Sequence, residues 1–414
     1  MPASARSPRA DAGVVELVRI LRRAGVNCTL ELPWNHPPLA FGAEAPQFHL
    51  RVKGERLLCG PLTELTLGRG YVQGDLDIAV EGAIDGPAYP ANAMAAFDVR
   101  DEIRFGVSPR QALRLAAELA LTAPTRVNAR AIRHHYSLGD DFYLTFLDRD
   151  YHFYSQCVFE HDDDTLEVAA ERKLEWMRSA LDLQPGMRIL DIGGGWGGLV
   201  EYASRLGVHV TSLTLSEESA TYIRARIADE HLNGEVLVED LLEHRVRERY
   251  DHVVIFGVIE HIPTYARFCE RVWDALKPGG RLYLDASATK QKYAASPWTR
   301  RYTWHGPHSC LALPDMVEEL IFHGFSVLEV RNDSHHYALT MREWARRLDH
   351  AHGDIAGEWG EAIYRTWRVF LWGGAHGFTT DRLQAYTLVA AKRPDRGPRP
   401  GPLRRAGHFA ASLR

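Results

Sequence analysis

Cysteine is scarce in this chain of 414 residues: Cys28, Cys59, Cys157, Cys269 and Cys310 are odd in number, scattered, and form no C-x-x-C pair. That excludes a disulfide framework and a zinc ribbon and fits a reducing cytoplasm. Lysine is nearly absent too. Lys53, Lys173, Lys277, Lys290, Lys292 and Lys392 are all there are, and the other basic residues are arginine. Coding bias explains most of that, although arginine is also the better phosphate ligand. No stretch approaches the ~18 consecutive apolar residues of a membrane-spanning helix, and the N-terminus has no apolar signal core. A soluble, cytoplasmic protein is expected, one that would meet lipid only at the membrane surface. The net charge of −5 argues against nucleic acid as a partner. Single histidines such as His252, His305 and His308 have no neighbour at ligand spacing, so no metal site is expected.

Glycine, by contrast, is concentrated. Met187-Arg188-Ile189-Leu190-Asp191-Ile192 is an apolar run ending near an acid, and Gly193, Gly194, Gly195, Gly197 and Gly198 follow around Trp196. An apolar helical pattern begins at once. This reads as a buried parallel strand, a tight turn and a helix N-terminus whose dipole faces a close-lying ligand. Three readings compete. A dinucleotide site wants a carboxylate about 20 residues on, at the end of the next strand, but that strand ends in Thr214-Leu215-Ser216. A turn without ligand would spend backbone entropy on five glycines for nothing. S-adenosylmethionine (SAM) suits an acid inside the turn, because its sulfonium and amino groups are cationic.

Strand and helix patterns alternate onward from there. Strands are expected at 189–193, 208–215, 236–240, 253–258, 281–286, 326–330 and 386–391, with helices at 166–181, 217–230, 265–276 and 313–323. The fold class is α/β: a doubly wound, Rossmann-like sheet of seven strands, mostly parallel. Residues 340–378 form a helical insertion before the last strand, rich in aromatics (Trp344, Trp367, Phe370, Trp372, Phe378). It is either a core add-on or a lid over an apolar pocket. Upstream, 13–105 reads as a small α+β domain: a helix at 14–24, a strand at 48–52, strand-like positions at 57–67, then a glycine-punctuated turn from Gly68 to Gly74. Residues 106–130 are a helical linker and 131–393 the catalytic domain, while 1–12 and the proline-rich basic tail 394–414 are expected to be disordered.

In an open α/β sheet ligands bind beyond the carboxyl ends of the strands. That singles out 191–197, 214–219, Asp240-Leu241, Glu260-His261 and 285–290. Glu260 follows a buried strand and a glycine, so desolvation should raise its pKa and suit it to acid/base work. A helix-terminal charge is the plainer alternative.

Four motifs in order make the chain resemble the cyclopropane fatty acid synthase and mycolic acid methyltransferase family. His135-Tyr136-Ser137-Leu138-Gly139-Asp140-Asp141-Phe142-Tyr143 is similar to H-Y-D-L-x-[ND]-D-F-[FY], and Tyr154-Ser155 opens a Y-S-C-A-Y-F segment. Asp191 to Gly198 is similar to D-[IV]-G-C-G-W-G-G, and Gly257 to His261 to G-x-F-E-H. The likeness runs from about residue 40 to 393, and Gly70-Tyr71-Val72-Gln73-Gly74-Asp75 is similar to part of the synthases' lipid-binding domain. The resemblance implies that the π-bond of an unsaturated acyl chain in a phospholipid attacks the SAM methyl, and that the carbocation then loses a proton. It places cofactor contacts on Tyr136, Ser137, Gly193, Gly195, Trp196, Thr214, Leu215, Ser219, Asp240 and Leu241, beside Asp191 and Gly197 of the turn. Glu260 and Tyr337 fall at the reaction centre. A homodimer and peripheral membrane association are implied by the same resemblance.

The chain departs from the family where the synthases hold a bicarbonate base. Gln156 stands where the family has cysteine, and Asp285 where it has histidine. A second carboxylate near Glu260 would repel the anion by roughly a few kcal/mol, so bicarbonate is expected to be absent, with Asp285 or Glu260 as base. A displaced base allows a hydride shift, ending in a methylene or methyl branch that a reductase partner would complete. Two further readings stay open: methylation of a non-lipid substrate, and a partner subunit that binds SAM or lipid without chemistry.

Overall fold

The computed structural model describes residues 7–103, 135–262, 264–290, 296–304 and 310–393. Residues 1–6, the expected linker 106–130 and the tail 394–414 lie outside them. Contacts divide the chain into two compact units. One comprises Met1–Phe146, Ala295–His308 and Thr340–Thr380, the other Leu147–Ala294, Ser309–Leu339 and Asp381–Arg414. The aromatic stretch at 340–378 therefore clusters with the N-terminal segment, whereas the sequence reading assigned it to the catalytic domain.

In the first unit a helix already begins at Pro8 (Pro8–Ala24), inside the segment expected to be disordered. The reason is local. Ser7 accepts a hydrogen bond from the Ala10 amide at 3.1 Å, proline occupies the first turn, and Gly25 closes the helix at φ 65°. Strands β1 (Cys28–Leu32), β2 (Asn35–Phe41), β3 (Phe48–Val52) and β4 (Leu76–Val80) form a sheet in the order β2-β1-β3-β4, with β1 and β3 parallel. Cys28 and Leu30 pair in register with Phe48 and Leu50, Leu32 and Val52 are buried with them, and Leu17, Ile20 and Leu21 of the helix join their core.

The expected strand at 57–67 is a correction. The chain there forms a 3-10 turn (Glu55–Cys59) and a helix (Glu64–Gln73) that Thr63 and Thr66 cap reciprocally. Gly68 and Gly70 lie within that helix, and a Cβ on Gly68 would sit 2.3 Å from the Trp298 ring. Close packing outweighs the ~1 kcal/mol propensity cost of each glycine.

Helices Ser334–His350, His352–Glu358 and Glu361–Thr379 supply the rest of this unit's interior from residue 340 on. Its buried polar centre is Asp349. The carboxylate accepts from the Tyr89 hydroxyl (2.9 Å), the Tyr364 hydroxyl (2.8 Å), Arg368 Nε (2.9 Å) and Trp372 Nε1 (2.9 Å). A cavity of about 640 Å³ lies over the polar face of β1, β3 and β4. The charges lining it pair among themselves, Arg51 with Glu31 and Arg365 with Asp77 and Glu361, and it shares no residue with the glycine turn.

The second unit holds the seven-stranded sheet. Its strands are β5 (Arg188–Ile192), β6 (His209–Thr214), β7 (Gly234–Val238), β8 (Tyr250–Phe256), β9 (Leu276–Ala288), β10 (Phe325–Asn332) and β11 (Gln384–Lys392). The order is β10-β11-β9-β8-β5-β6-β7, with β11 antiparallel to both neighbours and the other pairings parallel. The order reverses between β5 and β8, which opens a crevice at their carboxyl ends. One face packs Leu190, Ile255, Leu284 and Ala286 against the helices Tyr265–Ala275 and Leu313–Phe322. Toward the other face, helix Leu166–Leu181 meets β9. Among the described residues no helix is long and apolar enough to cross a membrane.

Candidate active site

β5 delivers Asp191, 3% exposed, to the crevice, where its carboxylate accepts from the Ser212 hydroxyl at 2.8 Å. Burial pushes its pKa up to about 6. The next residue but one must be glycine. Gly193 has φ 88°, and a Cβ there would lie 2.4 Å from Val258 Cγ2, so the turn is wedged against the loop that follows β8. Gly195 and Gly197 also have positive φ, and Gly197 caps the helix Gly198–Arg205. The Ser219 hydroxyl donates to the Gly195 carbonyl, tying the helix after β6 to the same turn.

Around it stand the other sequence-predicted contacts of this unit. Trp196 is buried, and its carbonyl accepts from Arg226. Thr214 ends β6 and accepts from the Ser216 amide through its hydroxyl, while Leu215 beside it is 59% exposed, an apolar side chain open to a ligand. Asp240 follows β7 and accepts from the Leu242 amide at 2.9 Å; Leu241 is buried. Tyr136 and Ser137 belong to the first unit. There His135 stacks on Trp304 at 3.6 Å, and Tyr136, 37% exposed, stands edge-on to His135.

The loop after β8 brings Glu260, 5% exposed, to β9. Its Oε1 accepts from both the amide and the hydroxyl of Ser287, each at 2.8 Å. Burial raises its pKa to about 7, with the Ser287 bonds opposing the shift and the charge of Asp285 adding to it. Neighbouring His261 is pushed down to about 4 by burial, which leaves it neutral at pH 7. Cys310 enters from the segment bridging Leu311 to Ala288 of β9. Desolvation and the charge of Glu260 push its thiol up to about 12.

Asp285 pairs in register with Phe256 of β8 and Thr387 of β11, and Thr387 with Arg331 of β10. Asp285 Oδ2 lies 2.9 Å from Lys173 Nζ, both residues about 1% exposed. The ammonium also donates to the Ser155 hydroxyl and sits over the rings of Phe256 (4.1 Å) and Phe153 (4.7 Å). Burial still holds the Asp285 carboxyl above its ordinary range, with Lys173 opposing. To the sequence reading of Asp285 as a second carboxylate near Glu260, the structure adds its partner Lys173. Gln156 does not reach toward Glu260 by its amide nitrogen; Nε2 donates to Asp333 Oδ2 at 2.7 Å and lies 3.4 Å from Thr387 Oγ1. Asp333 in turn takes Arg331 Nε at 2.8 Å and the Thr387 hydroxyl. Tyr337, half-buried, stands one helical turn on, its amide donating to the Asp333 carbonyl at 2.9 Å.

Lys173, Asp333 and Cys310 were not found from sequence, and Ser287 was singled out only as part of 285–290. Lys173 left a signal. In the helix Leu166–Leu181 it shares the buried face with Leu166, Ala169, Ala170, Leu174, Met177 and Leu181, and a lysine at an apolar position demands a buried counter-charge.

A model of the family described as mycolic acid cyclopropane synthetase matches residues 124–388. The chain is 30% identical over 384 residues to a "Probable fatty acid methyltransferase" of Mycobacterium tuberculosis, covering 85% of this chain and 88% of that one. It is 29% identical over 293 residues to the cyclopropane-fatty-acyl-phospholipid synthase of Escherichia coli strain K12, covering 70% and 75%. A crystal structure of a mycolic acid cyclopropane synthase complexed with SAH and CTAB superposes with a TM-score of 0.59 at 26% identity, over 64% of this chain and 98% of that one. A coclaurine N-methyltransferase bound to SAH, 19% identical with a TM-score of 0.58, shares the fold.

Proposed function

The chain belongs to the mycolic acid cyclopropane synthetase family, and on that premise we propose that it adds the methyl carbon of SAM to the double bond of an unsaturated fatty acyl chain carried by a phospholipid. It is a SAM-dependent methyltransferase with the Rossmann-like sheet of that class. Bound SAM supplies an electrophilic methyl on a sulfonium. The residues at the crevice fit it: a buried carboxylate at Asp191, a glycine turn that admits close approach, and the uncovered Leu215.

The observation that carries the reading is Glu260. Its carboxylate is almost wholly buried, raised to about 7, and held by two donors from Ser287. A base near neutrality is ionised in a large fraction of molecules at pH 7 and still accepts a proton readily. Ser287 fixes the carboxylate through Oε1, and Glu260 takes the proton from the alkylated chain. The negative charge also favours the cation that forms after methyl addition.

A methylene or methyl branch, in place of a ring, is the second reading. The exchanged side chains Gln156 and Asp285 support it. So do the relatives named as fatty acid methyltransferases, which align over more of the chain than the E. coli synthase does. The enzyme would work in the cytoplasm at the membrane surface as a homodimer, with a reductase completing a saturated branch.

Expression in a bacterium without cyclopropane activity, with methyl-labelled SAM and mass spectrometry of fatty acids, tests this. One extra labelled carbon per unsaturated chain is expected, and chemical degradation distinguishes ring from branch. Fatty acids unchanged despite soluble, SAM-binding protein would exclude the lipid substrate.

A further inference from the structure

The resemblance implies a bicarbonate anion at the reaction centre, and the donors of Ser287, Lys173 and Gln156 Nε2, the three nearest the exchanged side chains, go to this chain's own carboxylates. The Ser287 amide and hydroxyl both go to Glu260. Lys173 Nζ goes to Asp285 and to Ser155, and its remaining faces lie over Phe153 and Phe256. Gln156 Nε2 goes to Asp333, whose other oxygen takes Arg331. What these contacts leave open in the buried cluster are acceptors: Gln156 Oε1, on a residue 2% exposed, and Asp285 Oδ1 have no hydrogen-bond partner among the described residues. Such an atom suits a water or a hydroxyl and repels the charged end of an anion.

Charge says the same. Three carboxylates (Glu260, Asp285, Asp333) face two cations (Lys173, Arg331) in this part of the unit. A further anion would be added to a buried cluster that is already net negative whenever Glu260 is ionised. Bicarbonate does not fit.

We infer that the Lys173–Asp285 ion pair, braced by Ser155, stands in this chain for the diffusible anion, so that the enzyme turns over without bicarbonate. Lys173 and Asp285 are positioning residues. They fix one carboxylate permanently two residues from Ser287, the residue that holds Glu260, while Gln156 is anchored on Asp333 beside Thr387, the register partner of Asp285. The inference rests on the methyl-transfer reading for its catalytic consequence, but not for its binding consequence, and the two are measured separately.

The binding measurement uses the full chain loaded with S-adenosylhomocysteine and no lipid. Carbon-13 bicarbonate should show no enzyme-dependent line broadening with the wild type. It should show broadening with Asp285→Ala, which leaves Lys173 facing a carboxylate-sized gap. The turnover measurement compares bicarbonate-stripped and bicarbonate-restored buffer. Wild-type rates should agree within about twofold, whereas Asp285→Ala should lose at least about tenfold (~1.4 kcal/mol of barrier) and recover on adding formate or bicarbonate, but not chloride. Should Asp285→Ala fail to fold, Asp285→Gly, which leaves the same gap, is put through the same two readouts. Bicarbonate binding to the wild type, a tenfold rise in wild-type rate on its addition, or a folded variant indifferent to formate would each overturn the inference. Failure of methyl transfer to any acyl chain would instead sink the proposed function and leave the binding result standing.

Discussion

Replacing Lys173 by methionine tests how much of the second unit depends on one buried pair. The methionine fills most of the same volume, so packing against Phe153 and Phe256 is largely kept, while Asp285 loses its counter-ion. Breaking a buried pair from one side costs about 3–5 kcal/mol, which for a unit of this size is a fall in melting temperature of about 6–20 °C. Asp285 relieves part of that by taking a proton, and pH then enters with a definite sign. Its folded-state carboxyl, already above the ordinary range, rises further without Lys173. The variant is therefore least destabilised below the unfolded carboxylate pKa and loses stability as pH rises through the raised folded value. Melting followed by circular dichroism at pH 5.5 and pH 8 should show the larger deficit at pH 8. The double variant Lys173→Met with Asp285→Leu should recover much of the loss, because no lone charge is left. A single variant melting within about 2 °C of wild type at pH 8, or a double variant no better than the single, would refute the reasoning.

Glu260→Gln should lower kcat by about 10²–10⁴-fold with SAM affinity nearly unchanged. In the wild type the rate should climb as pH rises through about 7, since the base must be ionised and burial has raised its pKa to that range; a flat profile from pH 6 to 8 counts against Glu260 as base. Gly193→Ala forces a Cβ to within 2.4 Å of Val258 at φ 88°. It should cost about 1–3 kcal/mol, read by calorimetry as SAM affinity weaker by at least about fivefold. In the first unit, Asp349→Ala strips the acceptor from Tyr89, Tyr364, Trp372 and Arg368. It should destabilise by about 3–5 kcal/mol, as for any buried charge left alone, and Asp349→Asn by less, both seen in chemical denaturation.

The local half of the structure was legible in the order of residues. The glycine turn at 193–198, the seven strands and the helix at 166–181 were read within a few residues of their observed bounds, because apolar periodicity and turn chemistry act over one or two turns of chain. The cofactor follows from the same turn. Where the reading failed, distant packing had decided. Residues 57–67 look like strand, but a helix starts at Glu64, and its Gly68 is accommodated because the Trp298 ring lies where a Cβ would sit. Residues 8–12 are the exception, a local signal missed: Ser7 caps the helix there.

Periodicity states which face of an element is buried and is silent on what meets it. That Gln156 gives its amide to Asp333, 177 residues away, is settled by strand order and by which helix lies over β9. Neither is written in any short window. The sequence by itself determined a Rossmann-like unit with a SAM turn and a carboxylate at Glu260. Only the tertiary structure decided that Asp285 is neutralised by Lys173 and that Gln156 faces Asp333, since buried charges choose partners by proximity after folding.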